Sequence, residues 1–328
     1  MQKWDLGWRS VAALGLILSF SAAAAPGQDF TIVVLPDTQL YSERHPKILE
    51  AQADWIVANR AGLNIVYVAH LGDITNMGDE KPEQWANASN SLYRLESATG
   101  LPDGIPYGVV PGNHDHRGGT SQYNKFFGVA HFSDRSYYGG HPDRDNNSHF
   151  DKFSASGLDF VVLYMDFDFD RLDYGPIDVW ADGVLKSNAG RRAIVVSHDL
   201  LAVSGSFDPR GQAIYDNLRD NPNLFLMLCG HNHGQARRYD IHKDRTVITC
   251  LSDYQTWPEG GGGYLRIYTF SPGRNLVRVQ TYSPWLDKFQ TDPDSRFEFG
   301  YRMDAGPLAG LGVTPRDPKV IPGVPDKQ

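Results

Sequence analysis

Ile65-Val-Tyr-Val-Ala-His-Leu-Gly-Asp-Ile-Thr-Asn76 is an apolar run that breaks off into a glycine and a carboxylate. Its first residues are β-branched, aromatic or small. The run is too short for a typical helix, so it reads as a strand buried on both faces. Gly72-Asp73 then reads as the turn at its carboxyl end. The same order recurs four times. Asp37-Thr-Gln39 follows the apolar run 30–36, and Gly112-Asn113-His114-Asp115 follows 107–110. Ser197-His198-Asp199 closes the run 193–197, and Gly230-His231-Asn-His233 follows 224–229.

Helical patterns lie between these runs. Residues 46–60 place Ile48, Leu49, Trp55 and Ile56 near helical spacing, and 82–97 opens with Pro82, a helix-start residue. Further helices are expected at 177–187 and 212–219, with a strand at 160–165. Beyond Cys229 the runs 236–241, 246–251, 264–270 and 276–281 read as consecutive strands joined by turns, as in antiparallel pairing. Alternating strands and helices with a strand-rich end predict an α/β layered domain with mixed sheets. In open α/β sheets, ligands bind beyond the carboxyl ends of the strands. Five polar segments at five such ends would therefore face one crevice.

The residue types in that crevice suit a pair of metal ions. A carboxylate at Asp73 can give one oxygen to each of two cations about 3.5–4 Å apart. Asp37 and Gln39 stand two apart, so in an extended strand end they point the same way; His231 and His233 share that spacing. Asp37, Gln39 and His233 are then expected on one metal, and Asn113, His198 and His231 on the other. Mixed oxygen and nitrogen donors suit zinc, iron or manganese better than calcium. Water held between two such ions loses a proton near neutral pH and becomes a nucleophile. His114 is expected to protonate a leaving oxygen, and Asp115 to orient that imidazole.

In this order the segments resemble the calcineurin-like metallophosphoesterase superfamily, whose pattern is Asp-x-His, Gly-Asp, Gly-Asn-His-Asp/Glu, His and Gly-His-x-His. The match runs over most of residues 30–235. The resemblance implies a sandwich of two mixed β-sheets flanked by helices, and a dinuclear centre that hydrolyses phosphate esters. Two positions depart from the pattern. Gln39 stands where many members carry a histidine, though some branches carry Gln; its carbonyl is a neutral and weaker donor than imidazole, which is expected to make its metal more labile or different in kind. Asn76 replaces a carboxylate found in many members after Gly-Asp. Ser252-Asp-Tyr-Gln255, the segment 262–266 and the segment 281–284 are similar to those of bacterial exported members.

The whole chain has 328 residues, 41% hydrophobic and 21% charged, with a formal net charge of −8. That is a globular composition. Its acidity argues against a dedicated nucleic-acid or anionic-membrane binder, but not against a small anionic substrate met by bound cations. The expected substrate is a small phosphate mono- or diester, or a nucleotide; nothing in the sequence fixes an oligomeric state. Lys3 and Arg9, an apolar run 11–20 and Ala22-Ala-Ala24 read as a signal peptide, residues 1–24, cleaved after Ala24. The apolar run is short for a membrane span, so the mature chain carries none and is expected to be periplasmic or secreted. The catalytic domain is expected over 28–304, followed by an extended Pro/Gly-rich tail, 305–328, outside the core. Residues 133–148 read as a long polar excursion and Gly260–Gly263 as a flexible lid or a simple tight connection. His70 reads as a core or supporting residue, His116 and His149 as loop residues. Cys229 and Cys250 are expected to be free, buried thiols. Two other readings compete: a metal-stabilised binding protein without catalysis, and a metal hydrolase of non-phosphate esters.

Overall fold

The computed structural model describes residues 27–97, 100–167, 174–304 and 312–316. The expected signal peptide lies outside these residues. Two mixed sheets pack face to face, with helices on both outer sides. One sheet runs in the order Val313–Pro315, Arg296–Tyr301, Leu276–Ser283, Leu265–Ser271, Phe30–Leu35, Ile65–His70, Tyr107–Val109, with Lys288–Phe289 paired to Leu276–Ser283. The other runs Tyr138–Gly140, His149–Ala155, Leu158–Met165, Arg192–Ser197, Leu224–Cys229, Arg245–Asp253, Gly234–His242. The α/β sandwich of two mixed sheets is therefore as the sequence predicts.

The burial pattern explains why these runs are apolar throughout. Successive side chains on a strand point to opposite faces. Phe30, Ile32 and Val34 meet Phe160, Val162 and Tyr164 between the sheets. Val33 and Leu35 point outward onto Ile48, Leu49 and Ile56 of the helix Pro46–Asn59 and onto Trp85 and Leu92 of Pro82–Leu92. Val161, Leu163 and Met165 point the other way, onto the helices Gly175–Ser187 and Pro209–Leu218. Both faces of each central strand are covered, so alternation is absent from the sequence.

The strands that carry polar ends are mutually parallel within each sheet. Phe30–Leu35, Ile65–His70 and Tyr107–Val109 form one parallel set. Leu158–Met165, Arg192–Ser197, Leu224–Cys229 and Arg245–Asp253 form the other. Parallel pairing puts the carboxyl ends of a set on one edge, which is the condition for a shared crevice.

Several expectations change. Gln39 opens a short helix, Gln39–Arg44, instead of extending the strand before it. The helix expected over 82–97 breaks at Tyr93 into Pro82–Leu92 and Arg94–Ser97. The polar excursion holds the strand Tyr138–Gly140 and leads into His149–Ala155, a strand whose exposed and buried residues alternate. His149 is buried, not a loop residue: its Nδ1–H donates to Asn146 O at 3.1 Å and its ring stacks on Tyr164. Part of the tail returns to the body, because Val313–Pro315 pairs with Arg296–Tyr301 and Val313 enters the core. The rest of the tail lies outside the described residues. Cys229 and Cys250 are both free and buried. No helix among the described residues is long and apolar enough to cross a membrane.

Candidate metal centre

The ends of the two parallel sets meet at one place. Ligand atoms of Asp37, Asp73 and His198 lie within 4.8 Å of one another, and all three side chains are buried. His198 Nε2 stands 3.3 Å from Asp73 Oδ1, 3.2 Å from Asn113 Oδ1 and 3.2 Å from His231 Nδ1. Gln39 Nε2 donates to Asp73 Oδ2 at 3.1 Å. Asp73 therefore presents one oxygen to the His198 side and the other to the Gln39 side. His233 stands at the rim, its side chain 53% exposed and its Nε2 4.0 Å from Asp253 Oδ2.

Backbone geometry holds these groups in place. Asp73 and His231 both have positive φ, 49° and 68°, a conformation that side chains other than glycine adopt at a cost and that clusters at functional sites. At His231 it turns the backbone N–H onto both Asp37 oxygens, at 3.2 and 3.1 Å. Two glycines are needed for close approach. A Cβ at Gly112 would stand 2.2 Å from Asp73 Oδ1 and 2.7 Å from His198 Nε2; one at Gly230 would stand 2.0 Å from Asp37 Oδ1.

Hydrogen bonds also set the histidine tautomers. The Leu71 carbonyl accepts from His198 Nδ1–H at 3.0 Å, so Nε2 faces the cluster. Burial alone would keep this ring neutral, but Asp73 and Asp37 outweigh it and lift its pKa to about 10. Nε2 thus faces oxygen and nitrogen donors, a setting in which a cation would serve in place of a proton. Burial opposes ionisation of Asp73 too, yet His198 and the His114 contacts hold it below the usual carboxylate range. Asp37 is pushed up, by burial and then by Asp253. The residues fit metal ions by a further sign: Gln39 Oε1 is buried without a hydrogen-bond partner among the described residues. An unanswered buried carbonyl costs about 1–3 kcal/mol, and a cation answers it.

His114 lies beside the cluster, its Nε2 4.0 Å from Asp73 Oδ2. The expectation that Asp115 orients this imidazole is corrected. Asp115 accepts from the backbone N–H of Ile74, Thr75 and Gly112 and from the Thr75 hydroxyl, at 2.8–3.0 Å. It pins the loop after Ile65–His70 to the loop after Tyr107–Val109. The backbone carbonyl of Asn76 takes the orienting position instead, 2.8 Å from His114 Nδ1. The main chain does this work, so the contact does not depend on the side chain at 76. His70 accepts the Gly72 N–H at Nδ1 and therefore donates from Nε2 to the Thr38 hydroxyl at 2.9 Å. It supports the turn and stays neutral, since burial pushes its pKa down to about 3.

Three residues at the site, Asp166, Phe167 and Asp253, were not assigned from sequence. Asp166 follows the strand Leu158–Met165 and holds His116, Nε2 to Oδ1 at 2.9 Å. His116 is thus 12% exposed and anchored, not a solvated loop residue. Phe167 sets its ring 5.9 and 5.7 Å from the rings of His198 and His231. Asp253 ends the strand Arg245–Asp253 and binds Gln255. The usable signal for Asp166 and Asp253 was position: each follows an apolar run at a carboxyl end. Asp199 binds Asn232 at 3.1 Å, and Asn232 also donates to Leu201 O and Asp208, which fastens the Gly-His-Asn-His turn.

A model of the calcineurin-like phosphoesterase family matches residues 30–235. The chain belongs to the calcineurin-like phosphoesterase family. The matched span holds all five polar segments read from the sequence. A Bacillus subtilis relative described as uncharacterized protein YvnB is 38% identical over an alignment of 298 positions that covers 86% of this chain and 22% of that protein. This calcineurin-like chain thus spans under a quarter of that relative's length. Solved structures with a similar chain path include GAP50 of Plasmodium, described as the anchor in the inner membrane complex, at 16% identity and TM-score 0.49 over 82% of this chain and 89% of that one. A dimetal phosphatase from Danio rerio is similar at 12% identity and TM-score 0.48, over 78% and 96% of the two chains. The calcineurin-like phosphoesterase YfkN of Bacillus subtilis follows at 13% and 0.43, over 88% and 94%.

Proposed function

We propose that this chain is a hydrolase of small phosphate esters that works with two metal ions. The observation that carries the reading is Asp73, whose two oxygens face two separate donor groups. Asp37, Gln39 and His233 would hold one ion; Asn113, His198 and His231 would hold the other. The donors are oxygen and imidazole nitrogen, which favours zinc, iron or manganese. Bound ions of this kind supply a deprotonated water near neutral pH and neutralise charge on a phosphoryl group.

The chain's own residues do the rest. His114 keeps Nδ1–H on the Asn76 carbonyl, so Nε2 is the atom that gives a proton to a leaving oxygen. Asp115 pins the two loops together and Asp73 Oδ1 accepts the His114 backbone N–H, which keeps the loop that carries His114 beside the cluster. Phe167 sets its ring against both imidazoles on one side. The acidic chain and the absence of a basic cluster in its sequence favour small esters or nucleotides over long nucleic acids. Export belongs to the same reading: the N-terminus of the secreted protein is expected at Ala25, and Edman sequencing that finds Met1 would refute it.

The test is an assay of metal-stripped protein with manganese or zinc added back, on p-nitrophenyl phosphate and bis-p-nitrophenyl phosphate. Hydrolysis that needs metal and is inhibited by inorganic phosphate supports the proposal. A wild type that stays inert while metal raises its thermal stability would favour a binding protein. Ester hydrolysis indifferent to phosphate would favour another substrate class.

A further inference from the structure

The amide of Gln39 has its orientation dictated by carboxylates. Its Nε2 donates to Asp73 Oδ2 and to Gln255 Oε1. A carboxylate oxygen only accepts, so the nitrogen must be the atom that faces Asp73. Gln255 is fixed in the same way. Its own Nε2 donates to Asp253 Oδ2 at 2.9 Å and approaches Asp37 Oδ2 at 3.5 Å, which turns its Oε1 toward Gln39. Asp253 Oδ1 also accepts the backbone N–H of Gln255 at 2.9 Å, so both ends of Gln255 rest on one buried carboxylate. Both protons of the Gln39 nitrogen are thereby used. What remains is Gln39 Oε1, buried and without a hydrogen-bond partner among the described residues.

We infer that Gln255, backed by Asp253, is a positioning residue that presents Gln39 Oε1 as a ligand to one of the two metals. The inference rests on the dimetal reading above. It gives the departure at Gln39 a local compensation. An imidazole at 39 would offer a strong donor without help; a carboxamide can turn either end inward, and only one end binds a cation. Asp73 directly, and Asp253 through Gln255, decide which end. The same carboxylate stands 4.0 Å from His233 Nε2, so one acidic side chain lies behind both non-acidic ligands of that ion. Supporting contacts of this kind typically govern metal affinity by about 10–100-fold.

The test titrates metal-stripped protein with manganese alone by calorimetry and counts ions per chain by elemental analysis. Wild type is expected to bind two. Gln255→Leu is expected to leave one affinity unchanged and weaken the other about 10–100-fold. Gln255→Asn keeps an amide but shortens its reach, and should do the same; it decides the matter if the leucine variant unfolds, which thermal melting of the metal-free proteins reveals. In a Gln39→His background, Gln255→Leu should change neither affinity by more than about threefold, since either ring nitrogen can serve as the donor atom whereas only the oxygen end of a carboxamide can. Two affinities untouched by Gln255→Leu, or an equal loss in the Gln39→His background, would overturn the positioning role and leave the dimetal reading standing. A wild type that takes up no manganese would overturn that reading itself.

Discussion

The backbone N–H of His114 donates to Asp73 Oδ1 at 2.9 Å, so the proposed proton donor and the proposed shared ligand are joined by one hydrogen bond. The bond ties the loop after one strand to the loop after its parallel neighbour. Asp73→Asn keeps that contact but replaces a carboxylate oxygen with an amide nitrogen. It is expected to lose both metals together and with them all activity, as read by elemental analysis and ester hydrolysis. Two tightly held ions in Asp73→Asn would contradict the shared role.

His114→Ala should separate chemistry from binding. The imidazole touches the cluster only at its edge, so metal content should remain that of wild type. Removing a general acid lowers kcat by about 10²–10⁴-fold. The loss should be smallest on esters with good leaving groups, which need little protonation. A variant with wild-type turnover on a poor leaving group would remove His114 from the reaction.

Gly112→Ala tests close approach without replacing any proposed ligand. The added Cβ would fall 2.2 Å from Asp73 Oδ1 and 2.5 Å from Asp73 N, so the turn must shift. Metal affinity should drop at least about tenfold, while circular dichroism stays native. Unchanged affinity would mean that the two loops are looser than the contacts imply.

Asp115 has a structural task, and its removal should show as lost stability. Asp115→Ala would leave the N–H groups of Ile74, Thr75 and Gly112 without their acceptor inside the fold. Unsatisfied buried donors cost about 1–3 kcal/mol each, and the whole variant is expected to lose about 3 kcal/mol in denaturant unfolding. A variant within 0.5 kcal/mol of wild type, taken as about the range of a neutral surface change, would refute the pinning role.

His149 supplies a pH dependence away from the cluster. Burial pushes its folded pKa down from 6.5 to about 3. The folded form therefore refuses a proton that the unfolded chain accepts below about pH 6.5. The stabilisation is present in full above that pH and is lost as pH falls, by up to about 1.4 kcal/mol per pH unit. Between pH 6.5 and 5, unfolding free energies of His149→Gln should fall less steeply than those of wild type, by up to one proton. Equal slopes would place a charged ring at 149.

The sequence carried most of the fold for a physical reason. Strands such as Phe30–Leu35 and Leu224–Cys229 are buried on both faces, and that leaves an uninterrupted apolar signal. The ligand-type residues were legible because each follows such a run. What was missed followed from pairing, which no local pattern displays. The run 246–251 read as one strand of an antiparallel series, yet it also pairs parallel to Leu224–Cys229 and so delivers Asp253 to the same edge. Asp115 was given to its sequence neighbour His114, but backbone donors 40 positions away claim it. His149 sits in an alternating strand after a polar stretch, and its burial depends on Phe132 and Tyr164, which reach it from distant elements.

The most direct measurement is anomalous diffraction from crystals grown with manganese. Two peaks about 3.5–4 Å apart, one on each side of the Asp73 carboxylate, are predicted, with Asp37, Gln39 and His233 around one and Asn113, His198 and His231 around the other. A single peak, or two that do not share Asp73, would contradict the account.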